Sequence, residues 1–308
     1  MIPFFWRFFC FQRVIFENSF YVSRGIPAEK KGTRQPRIFD CAGIDLGNPA
    51  RKGIIPCMTY QFATEDQNYS DLSSGRVIYN QPGAPAFPVR LASEIFQRAT
   101  RHLRAANNAR ERITIYDPTC GGGYHLAALG FLHGDQIASI LASDIDLNIL
   151  ELARDNLGLL SLNGLARREG EIRRMLAAYG KESHAEALTS LHHLQDRLQD
   201  LGLLRCRLFA ANALDASSLR DGLAGERVDL VFSDVPYGHL SGWNVPEGSG
   251  VDAPAPLWKM LDALREVLPP DSLAAIAADK SQKIAHEGYQ RVERFLLGKR
   301  QITLLRPR

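Results

Sequence analysis

Residues 113–129 leave this chain few folds to choose from. Ile113-Thr-Ile-Tyr116 is a β-branched and aromatic run that reads as a buried strand, and Leu126-Ala-Ala-Leu129 reads as the first turns of a helix. Between them stands Asp117-Pro-Thr-Cys120-Gly-Gly-Gly123-Tyr124. Glycines at such a junction let the backbone approach a ligand with no Cβ in the way, and the new helix points unpaired N–H groups at whatever sits there. A second apolar strand, residues 137–143, ends in Asp144, about twenty residues after the turn, where a carboxylate reaches the two ribose hydroxyls of an adenosine.

The turn's chemistry separates two ligand classes. A dinucleotide site wants a third glycine so that the helix can close on the strand over a pyrophosphate, and that position here is Leu126. Asp117 at the strand end repels a pyrophosphate and attracts an ammonium. S-adenosylmethionine brings an amino group, a sulfonium and no phosphate, so it is the favoured cofactor and a nicotinamide or flavin dinucleotide the disfavoured one.

Downstream, strands and helices alternate. Residues 147–157 read as a helix, residues 161–202 as a two-helix insertion, 206–210 and 228–233 as strands, 257–268 as a helix and 273–278 as a strand. Residues 289–297 and 301–305 flank Gly298-Lys299 as a hairpin would. The expectation is an α/β fold: a doubly wound Rossmann-like sheet with a C-terminal antiparallel hairpin, a two-helix insertion and an N-terminal extension, whose ligands lie at the carboxyl ends of its strands. The expected domain is 113–308, preceded by a substrate-side region, 38–112, whose prolines and glycines allow little long helix before the apolar face of a helix after Pro88. Residues 1–37 read as a disordered or non-native arm. The apolar start is interrupted by Arg7, Arg13 and Glu17, with no cleavage site and no membrane span.

The fourth strand runs into Asp234-Val235-Pro236-Tyr237-Gly238. A planar exocyclic amine needs acceptors for its hydrogens and a flat face to stack on. The Asp234 carboxylate and Val235 carbonyl are candidate acceptors, Pro236 fixes the turn and Tyr237 is a candidate stacking platform. As the target nitrogen attacks a methyl group it gains positive charge, which a nearby carboxylate stabilises. The bland reading, an aspartate capping a Pro-Tyr turn, loses ground because the motif follows a cofactor turn and an acidic second-strand end. Residues 239–256, which include Trp243, read as a loop long enough to cover the site.

Taken together, the series 117–124, Ser143-Asp144-Ile-Asp146 with Leu150, Ala153 and Asn156, and 234–238 resembles the class I S-adenosylmethionine-dependent methyltransferases. More narrowly the chain, from about residue 60 to its end, resembles the avilamycin-resistance rRNA methyltransferases of the AviRa type. Matching stretches include Gly83–Phe96, the two-helix insertion, Trp243, Asp279–Lys283 and Gly298–Gln301. The resemblance implies methyl transfer to a guanine base of large-subunit rRNA. It also implies a cofactor site of Asp117, Cys120, Gly121, Gly123, Asp144, Asp146 and Asn212, and RNA contacts from Arg90, Trp243, Lys280 and Lys283. Many such enzymes have an aspartate where Asn212 stands, and Val235 replaces the first proline of the commoner D-P-P-Y form.

Charge agrees with a polyanionic partner. Residues 1–112 carry 16 Lys/Arg against 9 Asp/Glu, and residues 113–308 carry 21 against 25, so a front segment at +7 precedes a body at −4. The Arg90–Arg104 helix and residues 30–37 are candidate phosphate contacts, and solvated surface charge is the competing reading. Cys10, Cys41, Cys57, Cys120 and Cys206 show no metal-ligand spacing, which suits reduced thiols in a cytoplasm and no metal; a monomer is the expected state. His192-His193 reads as a solvated helix face. Alternatives stay open: an amino-methyltransferase acting on adenine, tRNA guanine or a protein glutamine, or a catalytically silent RNA-binding protein.

Overall fold

The structure, a computed structural model, describes residues 60–65, 67–81, 83, 85–106, 110–202, 204–235 and 255–308. The expected arm at 1–37, Pro236, Tyr237 and Trp243 lie outside the described residues.

The described chain opens with irregular segments and a short 3₁₀ turn, Ser70–Leu72, before helix α1, Val89–Ala105. Then follow β1 (Ile113–Asp117), α2 (Tyr124–His133), β2 (Ile137–Asp144), α3 (Leu147–Gly158), α4 (Leu162–Tyr179), α5 (Glu182–Leu201) and β3 (Arg205–Ala210). The chain continues through α6 (Ala216–Leu223), β4 (Leu230–Asp234), α7 (Pro256–Arg265), β5 (Leu273–Asp279), β6 (Tyr289–Leu297) and β7 (Arg300–Pro307). The strands form one sheet in the order β3-β2-β1-β4-β5-β7-β6. β1 to β5 run parallel, and β7 pairs antiparallel with both β5 and β6. This is the doubly wound α/β sheet with the expected hairpin and insertion, and its strand order reverses between β1 and β4.

Alternation of side chains along each strand supplies two cores. Ile115, Phe232, Ala275 and Ile302 face α1 to α5, whereas Tyr116, Val231, Ile276 and Leu305 face α6 and α7. Helix α6 is absent from the sequence reading. Its signal is short: Asp215 caps it by accepting from Ser217 N–H, and only Leu219 and Leu223 are buried.

The expected boundary at 112–113 falls inside one packed unit, since α1 buries Leu91, Ile95, Phe96 and Leu103 in the same core as β1 and β5. A buried ion network ties this helix down. The Glu94 carboxylate accepts the backbone N–H groups of Gln61, Phe62 and Ala63 at 2.7, 2.9 and 2.9 Å and pairs with Arg98. Arg98, only 1% exposed, also reaches Glu293 of β6 and lies over the Phe295 ring. Those bonds correct the reading of Arg98 as a phosphate contact, because a guanidinium sealed between two carboxylates has no path to RNA. Arg101 and Arg104 of the same helix are exposed.

The insertion α4–α5 holds the irregular segment beside the glycine turn. Arg168 Nε donates to the Val77 carbonyl at 2.9 Å and its guanidinium covers the Tyr79 ring, whose hydroxyl donates to Glu171. His192 and His193 are exposed, with His193 at 3.1 Å from Asp71.

Candidate active site

The glycine turn leaves β1 at its carboxyl end and enters α2 at Gly123. Gly121 and Gly123 have φ of +51° and +68°, a region L side chains rarely adopt, so the turn needs glycine there. A Cβ on Gly122 would approach Leu152 Cδ2 to 2.8 Å, which keeps α3 close against the turn. Asn156, fully buried on α3, fixes that contact: its Nδ2 donates to the Gly122 carbonyl at 2.8 Å and its Oδ1 accepts from Tyr79 N–H.

Asp144 ends β2 beside the turn. Its Oδ2 accepts from Gly121 N–H at 2.9 Å and its Oδ1 from Asp146 N–H at 3.1 Å. Each carboxylate oxygen retains acceptor capacity for a hydroxyl. Burial raises its pKa, with Asp117 adding and the backbone N–H groups opposing. Asp146, exposed, caps α3 through Asn148 N–H, which gives it a helix-terminal role in addition to its place in the motif. Asn212 follows β3, whose Ala210 pairs with Asp144; its Oδ1 accepts from Leu214 N–H. Cys120 is buried, its N–H bonded to the Ser143 carbonyl, and burial pushes its thiol pKa up.

Asp117 behaves differently from an open ligand. It is 0% exposed: Oδ1 accepts from Thr119 N–H at 3.0 Å, and Oδ2 lies 3.2 Å from His125 Nε2. The carboxylate thus faces the protein interior beneath the turn. Burial would depress the His125 pKa, but Asp117, and then Asp234, hold it above the ordinary imidazole range.

Asp234 stands at the carboxyl end of β4, next to β1. Thr119 Oγ1 and Ser233 Oγ meet at 2.6 Å and join the glycine turn to this strand. Arg300, the first residue of β7, brings its Nε to 3.7 Å from Asp234 Oδ1, and its guanidinium lies over the Phe87 ring, 5.1 Å from the centroid. The Arg300 and Asp234 side chains are 19% and 23% exposed. Burial pushes the Asp234 pKa up to about 6, with Asp117 adding and Arg300 and His125 opposing. Val235 packs into the opposite core, and its N–H donates to the Ala277 carbonyl.

The expected RNA contacts divide. Lys280 and Lys283 are exposed on the loop after β5, at the same edge of the sheet as Asp234. Arg90 donates through Nε and Nη2 to the carbonyls of Ala63 and Thr64 at 2.9 and 3.1 Å and covers the Tyr60 ring, so a phosphate would compete with those bonds. The sequence reading missed His125, Phe87 and the role of Arg300. Phe87 and Arg300 lie in the matching stretches Gly83–Phe96 and Gly298–Gln301 and His125 directly follows the glycine turn, but none of them carries a role in the sequence reading; only the placement of Gly298–Gln301 in a hairpin next to β5 could have pointed to Arg300.

The chain is also similar to known proteins. The family model described as rRNA methyltransferase AviRa matches residues 58–300. The chain is 40% identical over 249 residues, 80% of its length and 95% of the relative's, to the 23S rRNA (guanine(2535)-N(1))-methyltransferase of Streptomyces viridochromogenes. Two solved structures of the rRNA methyltransferase aviRa from that organism align with TM-scores of 0.72 and 0.71, at 40% and 38% identity, each over 81% of this chain and 96% of the other.

Proposed function

We infer that this chain, which belongs to the AviRa family of rRNA methyltransferases, transfers a methyl group from S-adenosylmethionine to a guanine base of 23S rRNA. The observation that carries this reading is the 40% identity over 95% of a 23S rRNA guanine methyltransferase, a span that includes both the glycine turn and Asp234. That relative's name puts its methyl on N1, and we propose the same atom here.

The residues fit the cofactor. The positive-φ glycines leave backbone N–H groups and no Cβ at the turn, while Asp144 holds acceptor capacity beside it. Asp144 would take the ribose hydroxyls, Asn212 the adenine edge and the turn at Gly121 and Gly123 the methionine part. The buried Asp117 would act on that part through the field of its charge and by shaping the turn through Thr119. S-adenosylmethionine, when bound, supplies an electrophilic methyl whose bonding electrons stay with sulfur.

Asp234 accepts the N1–H of the base. As N1 bonds to the methyl it must lose that proton, and a carboxylate with its pKa raised to about 6 is a better proton acceptor than an ordinary aspartate. Pro236 and Tyr237 continue the motif and are proposed to shape and stack the base; a guanine in structured RNA reaches such a site by turning out of its stack. Lys280 and Lys283 are proposed to meet phosphates, and Trp243 is proposed as a further RNA contact.

The test is mass spectrometry of 23S rRNA fragments from cells with and without the gene, followed by transfer of labelled methyl in vitro. A 1-methylguanine that depends on the gene is the expected result. Labelling of adenine, of tRNA or of protein instead would replace the substrate assignment.

A further inference from the structure

Arg300 and Asp234 come from strands that are not neighbours. Asp234 pairs with Ala277 of β5, Ala277 pairs with Ile302 of β7, and Arg300 begins β7 opposite Asp279. The arginine side chain therefore reaches over β5 toward the carboxylate, along the face that also carries Phe232 and Ile302. Phe87 supports it from the segment before α1, in edge contact with Phe232 at 5.8 Å between centroids. Asp117 and His125 also act on Asp234 through their charge.

Arg300 Nε stands 3.7 Å from Asp234 Oδ1, an ion-pair distance. An acceptor and a forked donor thus stand side by side at the carboxyl ends of the parallel strands. The Watson–Crick edge of guanine offers the complement in the same order, an N1–H donor next to the O6 acceptor. Adenine offers the reverse, an N1 acceptor next to an amino donor. A guanidinium presents its N–H donors as a planar fork, a geometry that suits an oxygen acceptor.

Resting on the functional reading above, we propose that Arg300 is the specificity-determining residue of this site: it donates to O6 of the target guanine while Asp234 accepts from N1–H. Adenine in the same position meets donor against donor at Arg300 and acceptor against acceptor at Asp234. Discrimination of this kind is strong because the mismatched groups are left unpaired in a partly desolvated site.

The test is a cycle that pairs a protein change with a base change. The substrates are two 23S rRNA fragments that carry either guanine or 6-thioguanine at the modified position; sulfur at position 6 accepts hydrogen bonds poorly and leaves N1–H in place. The wild-type enzyme is expected to lose about ten- to a hundredfold in kcat/KM on the thio substrate. Arg300→Leu is expected to lose a similar factor on guanine and to show little further loss on 6-thioguanine. Arg300→Lys, which keeps a charged donor, should recover part of the activity together with the sensitivity to sulfur. Any change that sulfur makes to the acidity of N1 is common to all three proteins and cancels in the comparison. Cofactor affinity by calorimetry should stay within a few-fold of wild type, which separates recognition of the base from damage to the fold. Equal thio effects in wild type and Arg300→Leu overturn the proposal, as does an unaltered rate in Arg300→Leu. Should Arg300→Leu fail to fold, equal thio effects in wild type and Arg300→Met, which likewise lacks a donor, overturn it in the same way. A wild-type enzyme that transfers no methyl to guanine RNA overturns the functional reading itself, and with it the role of Arg300.

Discussion

Asp144 and Gly121 are joined by a 2.9 Å hydrogen bond from the Gly121 N–H to Asp144 Oδ2, so the carboxylate proposed to hold the ribose also holds the glycine turn. Two substitutions separate these roles. Asp144→Asn keeps an oxygen for Gly121 and loses the charge, whereas Asp144→Ala loses both. Affinity for S-adenosylmethionine should fall about ten- to a hundredfold in Asp144→Ala and less in Asp144→Asn. Calorimetry reads the affinity; wild-type binding by Asp144→Ala would remove this residue from the cofactor site.

The Asp234 pKa of about 6 predicts an acid limb in the rate. The reaction needs the ionised carboxylate, so methyl transfer should decline as pH falls through about 6 and level off above it, where the proton has left. Asp234→Asn should keep cofactor affinity, lower the rate by about two to three orders of magnitude and lose this limb. Near-normal turnover in Asp234→Asn would reduce the motif to a structural turn.

Glu94 and Glu293 share Arg98, and removal of one partner leaves buried charge without compensation. Glu94→Ala should cost about 3–5 kcal/mol in urea unfolding. For both glutamates burial alone would raise the pKa, but hydrogen bonds to backbone N–H groups and Arg98 for Glu94, and to His102 and Arg98 for Glu293, bring it below the ordinary value. A carboxylate whose folded pKa is depressed binds fewer protons in the folded state, so its stabilisation is present above its unfolded pKa and is lost as pH falls through the folded one. Wild-type stability should therefore drop in acid below the ordinary glutamate range, and Glu94→Ala should drop less steeply there. Parallel pH profiles for the two proteins would exclude this network as the cause.

Lys280 and Lys283 are exposed at the edge that carries Asp234. If both contact phosphates, the double substitution to alanine should weaken RNA binding uniformly and flatten the dependence of log affinity on log salt by about two. Arg90→Ala should instead loosen the segment at Ala63 and Thr64 and show mainly as a lower melting temperature. An unchanged salt slope in the lysine variant would move the RNA footprint elsewhere, with the exposed Arg101 and Arg104 as the next candidates.

Much of this architecture was legible because its chemistry is contiguous along the chain. The run from Ile113 to Leu129 specifies strand, turn and helix through local propensity and three glycines. The alternation of apolar segments with turn residues placed β1 to β5 and the final hairpin within a residue or two. Asp144 and Asp234 were visible as acidic ends of apolar strands. Helix α6 escaped because eight residues with two buried leucines carry little periodic signal.

What the sequence by itself determined, then, is the doubly wound class, the glycine turn and the acidic end of β4. Each follows from residues that touch their neighbours in the chain. Tertiary structure alone decided which charges are available for function. Arg98 and Arg90 sit on one amphipathic helix with Arg101 and Arg104, but the sheet buries the first between Glu94 and Glu293 and gives the second to two carbonyls. It turned Asp117 inward onto Thr119 and His125. It also carried Arg300 across β5 to Asp234, because the order β4-β5-β7 puts the start of one strand within an arginine's reach of the end of another, a proximity that depends on strand order and not on distance along the chain.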